Sequence, residues 1–179
     1  MQRLQQACAG HGGIRRMVVI RDGVVVWEGP QADRPTPLWS CTKSCVSMVA
    51  GLLIASQRCA LSTKLRELLP WMPDAYAGVT LRHLLTMASG YDAGGAQSDT
   101  PFNPTTPLFA PGMRYAYWDS AMNVLGAALT AAAQQSLAEV FRDHITRPLG
   151  IPDSRWEWED WGEHNGVPVN GGAGNKDKA

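Results

Sequence analysis

Apolar residues change their spacing along this 179-residue chain, and the change predicts its elements. Residues 17–20 and 24–27 are short β-branched runs on either side of Arg21-Asp22-Gly23. Asp-Gly between two such runs predicts a β-hairpin, spanning 14–30 with its flanks. Gly29-Pro30 and a polar stretch to Pro37 break the pattern. Residues 40–55 then follow a helical period inside a helix segment 38–56. Cys41, Cys45, Val46, Met48, Val49, Ala50, Leu52, Leu53 and Ile54 surround that helix with apolar side chains, which predicts burial on nearly all sides. Its exceptions are Ser40, Lys43, Ser44 and Ser47. Their spacing of i, i+3, i+4, i+7 gathers them into one polar stripe.

Residues 60–150 read as a helical lobe. Ser62 is a cap for a short helix that Pro70 ends. Thr80 is a cap for a helix over 81–88, closed by Ser89-Gly90. Residues 92–113 are rich in Gly, Pro, Thr and Asp and predict a long loop, the kind that often carries function in a compact domain. Asp119 or Ser120 opens an Ala-rich helix to about Ala133. Ser136-Leu137-Ala138-Glu139 has the form of a capping box, and Pro148 stops the helix it opens. Residues 151–179 predict an irregular, Gly-rich end. The elements read as a single domain over 1–179 with one hairpin. Two strands do not make a stable sheet alone, and a helix apolar all round needs layers on both sides.

Composition narrows the function classes. Sixteen acidic and sixteen basic residues balance, so the chain lacks the basic footprint of a nucleic-acid binder or of a protein drawn to anionic membranes. The expected partner is a small molecule, with no nucleic acid and no membrane. The cysteines, Cys8, Cys41, Cys45 and Cys59, form no C-x-x-C pair and read as buried free thiols. No histidine stands at zinc-ligand spacing, and no cofactor or metal is expected. The N-terminus lacks an export signal, and the longest apolar stretch is too short to span a bilayer. As written, the chain reads as soluble and not exported. Seven tryptophans are many for this length, and Trp156, Trp158 and Trp161 lie close together. Such rings fill cores or line pockets.

The chemistry begins at Ser40-Cys41-Thr42-Lys43. A serine hydroxyl is a weak nucleophile until a base takes its proton. On a helix, residue i+3 shares the face of residue i, so Lys43 can reach Ser40. An apolar setting disfavours an ammonium and so promotes the basic amine. The helix N-terminus favours negative charge developing at Ser40. A capping serine followed by a surface lysine has the same pattern. However, an unpartnered lysine on an apolar helix is costly, and S-x-x-K occurs once in this chain. A second group follows at Pro111-Gly112-Met113-Arg114-Tyr115-Ala116-Tyr117-Trp118-Asp119. Tyr117 offers a phenol for proton transfer, unless it is a core aromatic. Asp119 offers a carboxylate, unless it is an N-cap.

Taken together, three motifs resemble class C β-lactamases and their penicillin-binding-protein-like esterase and peptidase relatives. They are Trp39-Ser40-Cys41-Thr42-Lys43-Ser44, Val79-Thr80-Leu81-Arg82-His83-Leu84-Leu85-Thr86-Met87-Ala88-Ser89-Gly90, and Pro111-Gly112 through Tyr117-x-Asp119 to Asn123-x-Leu125-Gly126. Pro148-Leu149-Gly150 and the upstream hairpin agree in order and spacing, and the similarity covers about 14–175. The resemblance implies an α/β (α+β) fold of the β-lactamase/transpeptidase type, with an antiparallel sheet flanked by helices and a helical lobe. It implies a serine hydrolase that forms an acyl-enzyme on Ser40, with Lys43 activating it and Tyr117 assisting proton transfer. The substrate would be a small ester, amide or β-lactam-like molecule.

Two departures qualify that implication. Asp119 stands where the family has asparagine, and a carboxylate facing Lys43 stabilises the ammonium. This tilts the expectation from β-lactam hydrolysis toward an esterase or amidase. Met87 stands where relatives often have histidine, which reads as neutral packing. The family's third motif, a Lys-Thr-Gly or His-Thr-Gly on a central strand, is missing. His164-Asn165-Gly166 fits it superficially but precedes the Gly-rich segment it should follow. The chain therefore reads as the N-terminal half of the family's length, with an incomplete sheet and self-association through exposed core. Two rival readings stay open. One is a truncated, non-catalytic remnant that serves as a binding module of the same fold, and the other is a helical interaction domain whose motifs are accidental.

Overall fold

The computed structural model describes residues 16–172, together with Arg3 and Gln6. Its contacts divide the chain into two compact units, Met1–Thr36 and Pro37–Ala179, where the element order alone reads as one domain. Cys8 lies outside the described residues.

In the first unit, β1 (Val18–Arg21) pairs antiparallel with β2 (Val24–Glu28), with Arg21 opposite Val24. Asp22 and Gly23 both take positive φ, 52° and 76°. That is the two-residue turn whose twist matches the flanking strands, and it is why Asp-Gly predicts a hairpin here. The apolar side chains of this ribbon are exposed, Ile20 and Val24 at 63% each.

The second unit is built on helices. A 3-10 turn, Trp39–Cys41, leads into α1 (Thr42–Ala55). Two short helices follow, α2 (Leu65–Leu68) and α3 (Leu81–Leu85). The long helix α4 (Asp119–Ala133) forms the axis of the core, since twelve of its fifteen residues are buried. Its small side chains let neighbours approach closely, and α1, α2, α3 and α5 (Leu137–Phe141) all pack on it. The Ser136–Glu139 capping box forms as predicted: the serine hydroxyl accepts from the Glu139 amide, and the glutamate accepts from the Ser136 amide. Thr80 and His83 form a similar box at the start of α3.

The structure corrects several expectations. Helix α1 is buried on one side only, through Cys45, Val46, Val49, Ala50 and Leu53; Ser44, Ser47, Met48 and Gly51 are exposed. Apolar character on every side does not locate the neighbours, which here lie along one face. Cys41 is accordingly exposed, while Cys45 and Cys59 are buried free thiols. The N-cap of α2 is Lys64 rather than Ser62, and α3 stops at Leu85 because Met87 takes a positive φ of 52°.

The described part of the segment 151–172 is not irregular throughout. Strands β3 (Asp160–His164) and β4 (Val167–Asn170) form a second antiparallel hairpin around Asn165 and Gly166, at φ 50° and 80°. Asn-Gly carries the same turn signal as Asp-Gly. The signal was overlooked because Asp160-Trp161-Gly162-Glu163-His164 lacks β-alternation, and the register shifts between Asp160 and Glu163. Strand β4 packs on α4. There the Asn170 Oδ1 accepts from the Leu137 amide at 2.9 Å, and the Asn123 Oδ1 accepts from the Gly172 amide at 3.1 Å. A Cβ on Gly172 would lie 2.2 Å from the Met122 carbonyl oxygen, so only glycine permits this approach. Among the described residues the strands form two separate two-stranded antiparallel sheets. No helix among these residues is long and apolar enough to cross a membrane.

Candidate active site

Ser40 sits in the 3-10 turn at the head of α1, on the exposed side of that helix. Directly before it, Trp39 takes a φ of 51°. A left-handed backbone costs a non-glycine residue about 1–2 kcal/mol, so strain is held next to Ser40. One turn on, Lys43 returns toward Ser40 as the i+3 spacing requires. Its Nζ donates to the Ser40 Oγ at 3.0 Å.

Tyr117 arrives from another part of the chain. The extended stretch before α4 is anchored on the segment after α3: the Gly112 amide donates to the Ala88 carbonyl and the Ala116 amide to the Met87 carbonyl, each at 2.8 Å. The left-handed Met87 therefore has a structural role that its reading as neutral packing did not include. Tyr117 projects from this stretch and its hydroxyl donates to the Ser40 Oγ at 2.6 Å. Tyr117 is 44% exposed and is not a core aromatic.

Asp119 is the first residue of α4, with Trp118 at the N-cap position. Its Oδ1 lies 2.7 Å from the Lys43 Nζ, with the two side chains 10% (Lys43) and 16% (Asp119) exposed. Its other oxygen accepts from the Gln97 Nε2 at 2.8 Å. The Lys43 Nζ also lies 4.9 Å from the centre of the Tyr117 ring. All four predicted side chains thus meet, 77 residues of sequence apart at the Tyr117–Ser40 bond. The Ser40 oxygen receives two donors at once, a cation and a phenol. Such a pair stabilises an alkoxide and relays protons to and from it.

Two contributors escaped the sequence reading. Gln97 has no motif around it; only its place in the long loop 92–113 pointed there. Asp92, in the same loop, organises the approach to the site. Its Oδ1 accepts from the Trp118 indole and the Gly95 amide, both at 2.9 Å, and its Oδ2 from the Thr105 hydroxyl at 2.7 Å. Burial works against its anion, but these hydrogen bonds outweigh it and hold the carboxyl below the usual carboxylate range. Trp118 stands between Tyr117 and Asp119 in sequence, so Asp92 fixes the residue that both flank. Among the described residues, no group of three or more His, Cys, Asp or Glu side chains is placed to hold a metal ion.

The Lys43–Asp119 contact carries a prediction. With Asp119→Asn the Lys43 Nζ loses the carboxylate it meets at 2.7 Å, and an opposite charge nearby is what favours the charged form of any group. The pH dependence of Ser40 acylation is then expected to move toward lower pH. Rates of covalent labelling measured across pH 5–10 check this, and an unmoved profile would remove Asp119 from the proton chemistry.

Comparison with known proteins places this geometry. A family model described as Beta-lactamase matches residues 2–178. No curated protein matches in sequence. Among solved structures, the chain resembles a protein of Bacteroides dorei DSM 17855 provisionally assigned as a β-lactamase, at 22% identity and a TM-score of 0.66, covering 89% of this chain and 52% of that one. It also resembles a β-lactamase/D-alanine carboxypeptidase of Yersinia pestis (21% identity, TM-score 0.61, covering 82% and 50%). A D-stereospecific amidohydrolase of Streptomyces is similar at 18% identity, TM-score 0.61, covering 82% and 57%. The chain spans about half the length of these structures, and at such identities the likeness is one of fold. With the family model matched over nearly its whole length, the chain belongs to the β-lactamase family of hydrolases.

Proposed function

We propose that the chain carries the acylation machinery of a serine hydrolase acting on ester or amide bonds. The observation that carries this reading is the pair of donors on one oxygen, the Tyr117 hydroxyl at 2.6 Å and the Lys43 Nζ at 3.0 Å. In the proposed reaction the Tyr117 phenol first gives up its proton to solvent, and the Ser40 Oγ then attacks the substrate carbonyl carbon as its own proton passes to the phenol oxygen of the Tyr117–Lys43 pair. The tetrahedral intermediate collapses, the carbon–oxygen or carbon–nitrogen bond of the leaving group breaks, and the pair returns the proton to that group. Water then attacks the acyl-enzyme, releasing the acid and restoring Ser40. Asp119 lies 2.7 Å from the Lys43 Nζ, so in this reading the lysine donates to Ser40 while the phenol oxygen of Tyr117 is the proton acceptor. The hydroxyl that Tyr117 donates to Ser40 favours a second reading, in which the phenol keeps its proton and the chain binds a small carbonyl compound without turning it over.

A fluorophosphonate probe separates the two. Adduct mapping by mass spectrometry is expected to find Ser40 as the labelled serine, and Ser40→Ala to abolish the adduct. Labelling at other serines with Ser40 untouched would overturn the hydrolase reading.

A further inference from the structure

A second cleft, of about 710 Å³, opens between residues 99–103 and the β3–β4 hairpin, and none of the four site side chains lines it. One wall is aromatic. The Phe102 and His164 rings stack at 4.7 Å, and Trp71 meets His164 edge-on at 4.8 Å. Trp161 also lines the cleft, its ring lying over Gly171 so closely that a Cβ there would be 3.2 Å from it. The rings are therefore held in place by one another and by backbone. Two exposed carboxylates, Asp99 and Glu163, also line the cleft, and no lysine or arginine lines it among the described residues. Neither carboxylate forms an ion pair among the described residues.

Aromatic faces joined to uncompensated carboxylates complement a soft, weakly hydrated cation. A small metal ion would need three or more His, Cys, Asp or Glu side chains gathered around it, and no such group occurs among the described residues. An anion would be repelled, and a neutral apolar ligand would gain nothing from the carboxylates. We propose that this cleft binds an alkylated ammonium group. None of its lining residues belongs to the Ser40 group, so it is retained when Ser40 is replaced. Asp99 lies two residues beyond Gln97, the side chain that holds Asp119. The cation can therefore belong to the acyl substrate or to a free amine.

The test is calorimetric titration of the full chain and of Ser40→Ala with choline and with its neutral isostere 3,3-dimethylbutanol. Saturable choline binding is expected in both proteins, with the isostere weaker by about tenfold. Glu163→Gln and Asp99→Asn should each weaken choline severalfold without affecting the isostere, and Trp161→Leu should weaken choline with an unchanged circular dichroism spectrum. Absent choline binding, or equal binding of the isostere, would overturn the proposal. The two sources are then distinguished by labelling. Choline that slows fluorophosphonate attack on Ser40 assigns the cation to the substrate, and choline that leaves it unchanged assigns a free amine.

Discussion

Replacing Lys43 by alanine is expected to slow covalent labelling of Ser40 by about 10²–10⁴-fold, the usual contribution of a positioned acid–base group. Three contacts set that size. The Lys43 Nζ is 3.0 Å from the Ser40 Oγ and 2.7 Å from Asp119, and it lies over the Tyr117 ring. Removing it takes away one donor to Ser40 and the amine that lies against the Tyr117 ring. It also leaves Asp119, only 16% exposed, facing Ser40 and Tyr117 without its partner. Tyr117 still reaches Ser40, which is why the expected loss is partial. Because an unpaired carboxylate also costs stability, Lys43→Ala is compared with the double variant Lys43→Ala/Asp119→Ala, and each is checked for an intact melt. Slow labelling in both places the loss in the chemistry. Recovery of the rate in the double variant would place it in the stranded charge instead. Labelling at the parent rate in the single variant would remove Lys43 from the mechanism.

Much of this site was legible because its signals are local. An i+3 spacing on a helix brings Lys43 back to Ser40 whatever surrounds it, and a Pro-Gly turn followed by Tyr-x-Asp announces an extended entry into α4. The hairpin at Asp22-Gly23 was legible for the same reason: its turn residues and its strands agree. At Asn165-Gly166 they disagree, with a strong turn signal between strands that carry Trp, Glu and His where alternation calls for apolar residues, and β3–β4 was overlooked. The burial of α1 was legible in kind but not in direction. Its composition says that it packs, while the packing side depends on α4 and α5, nearly eighty residues or more away. Of Asp92 and Gln97 only the loop that holds them was legible, and the left-handed Trp39 and Met87 were not legible at all. Each acts through a backbone conformation or a long-range hydrogen bond that leaves no periodic trace.

Asp92→Ala is expected to lower the unfolding free energy by about 2–4 kcal/mol at pH 7, measured by chemical denaturation. Charge-assisted hydrogen bonds contribute roughly 1.5–3 kcal/mol each when intact, and their partners add desolvation costs when stranded, but partial exposure of the carboxylate reduces the sum. The stranded groups are the Trp118 indole, the Thr105 hydroxyl and the Gly95 amide. The Tyr76 hydroxyl, which bridges the Asp92 backbone and the Thr105 carbonyl, ties the same loop to the core. The charge gives the loss a pH signature. Asp92 is held below its ordinary value of 3.8, so its contribution is fully present above that pH and disappears as the pH falls through the folded value. The stability gap between the parent and Asp92→Ala should therefore be constant from pH 7 to about pH 5 and narrow below pH 4. Asp92→Asn keeps one acceptor oxygen and should fall between the two, with no such narrowing against alanine. Labelling of Ser40 should also slow in Asp92→Ala, because a displaced Trp118 shifts both Tyr117 and Asp119. A gap that stays the same from pH 7 to pH 3 would show that Asp92 acts by shape alone. An unchanged labelling rate would show that Tyr117 and Asp119 are positioned without it.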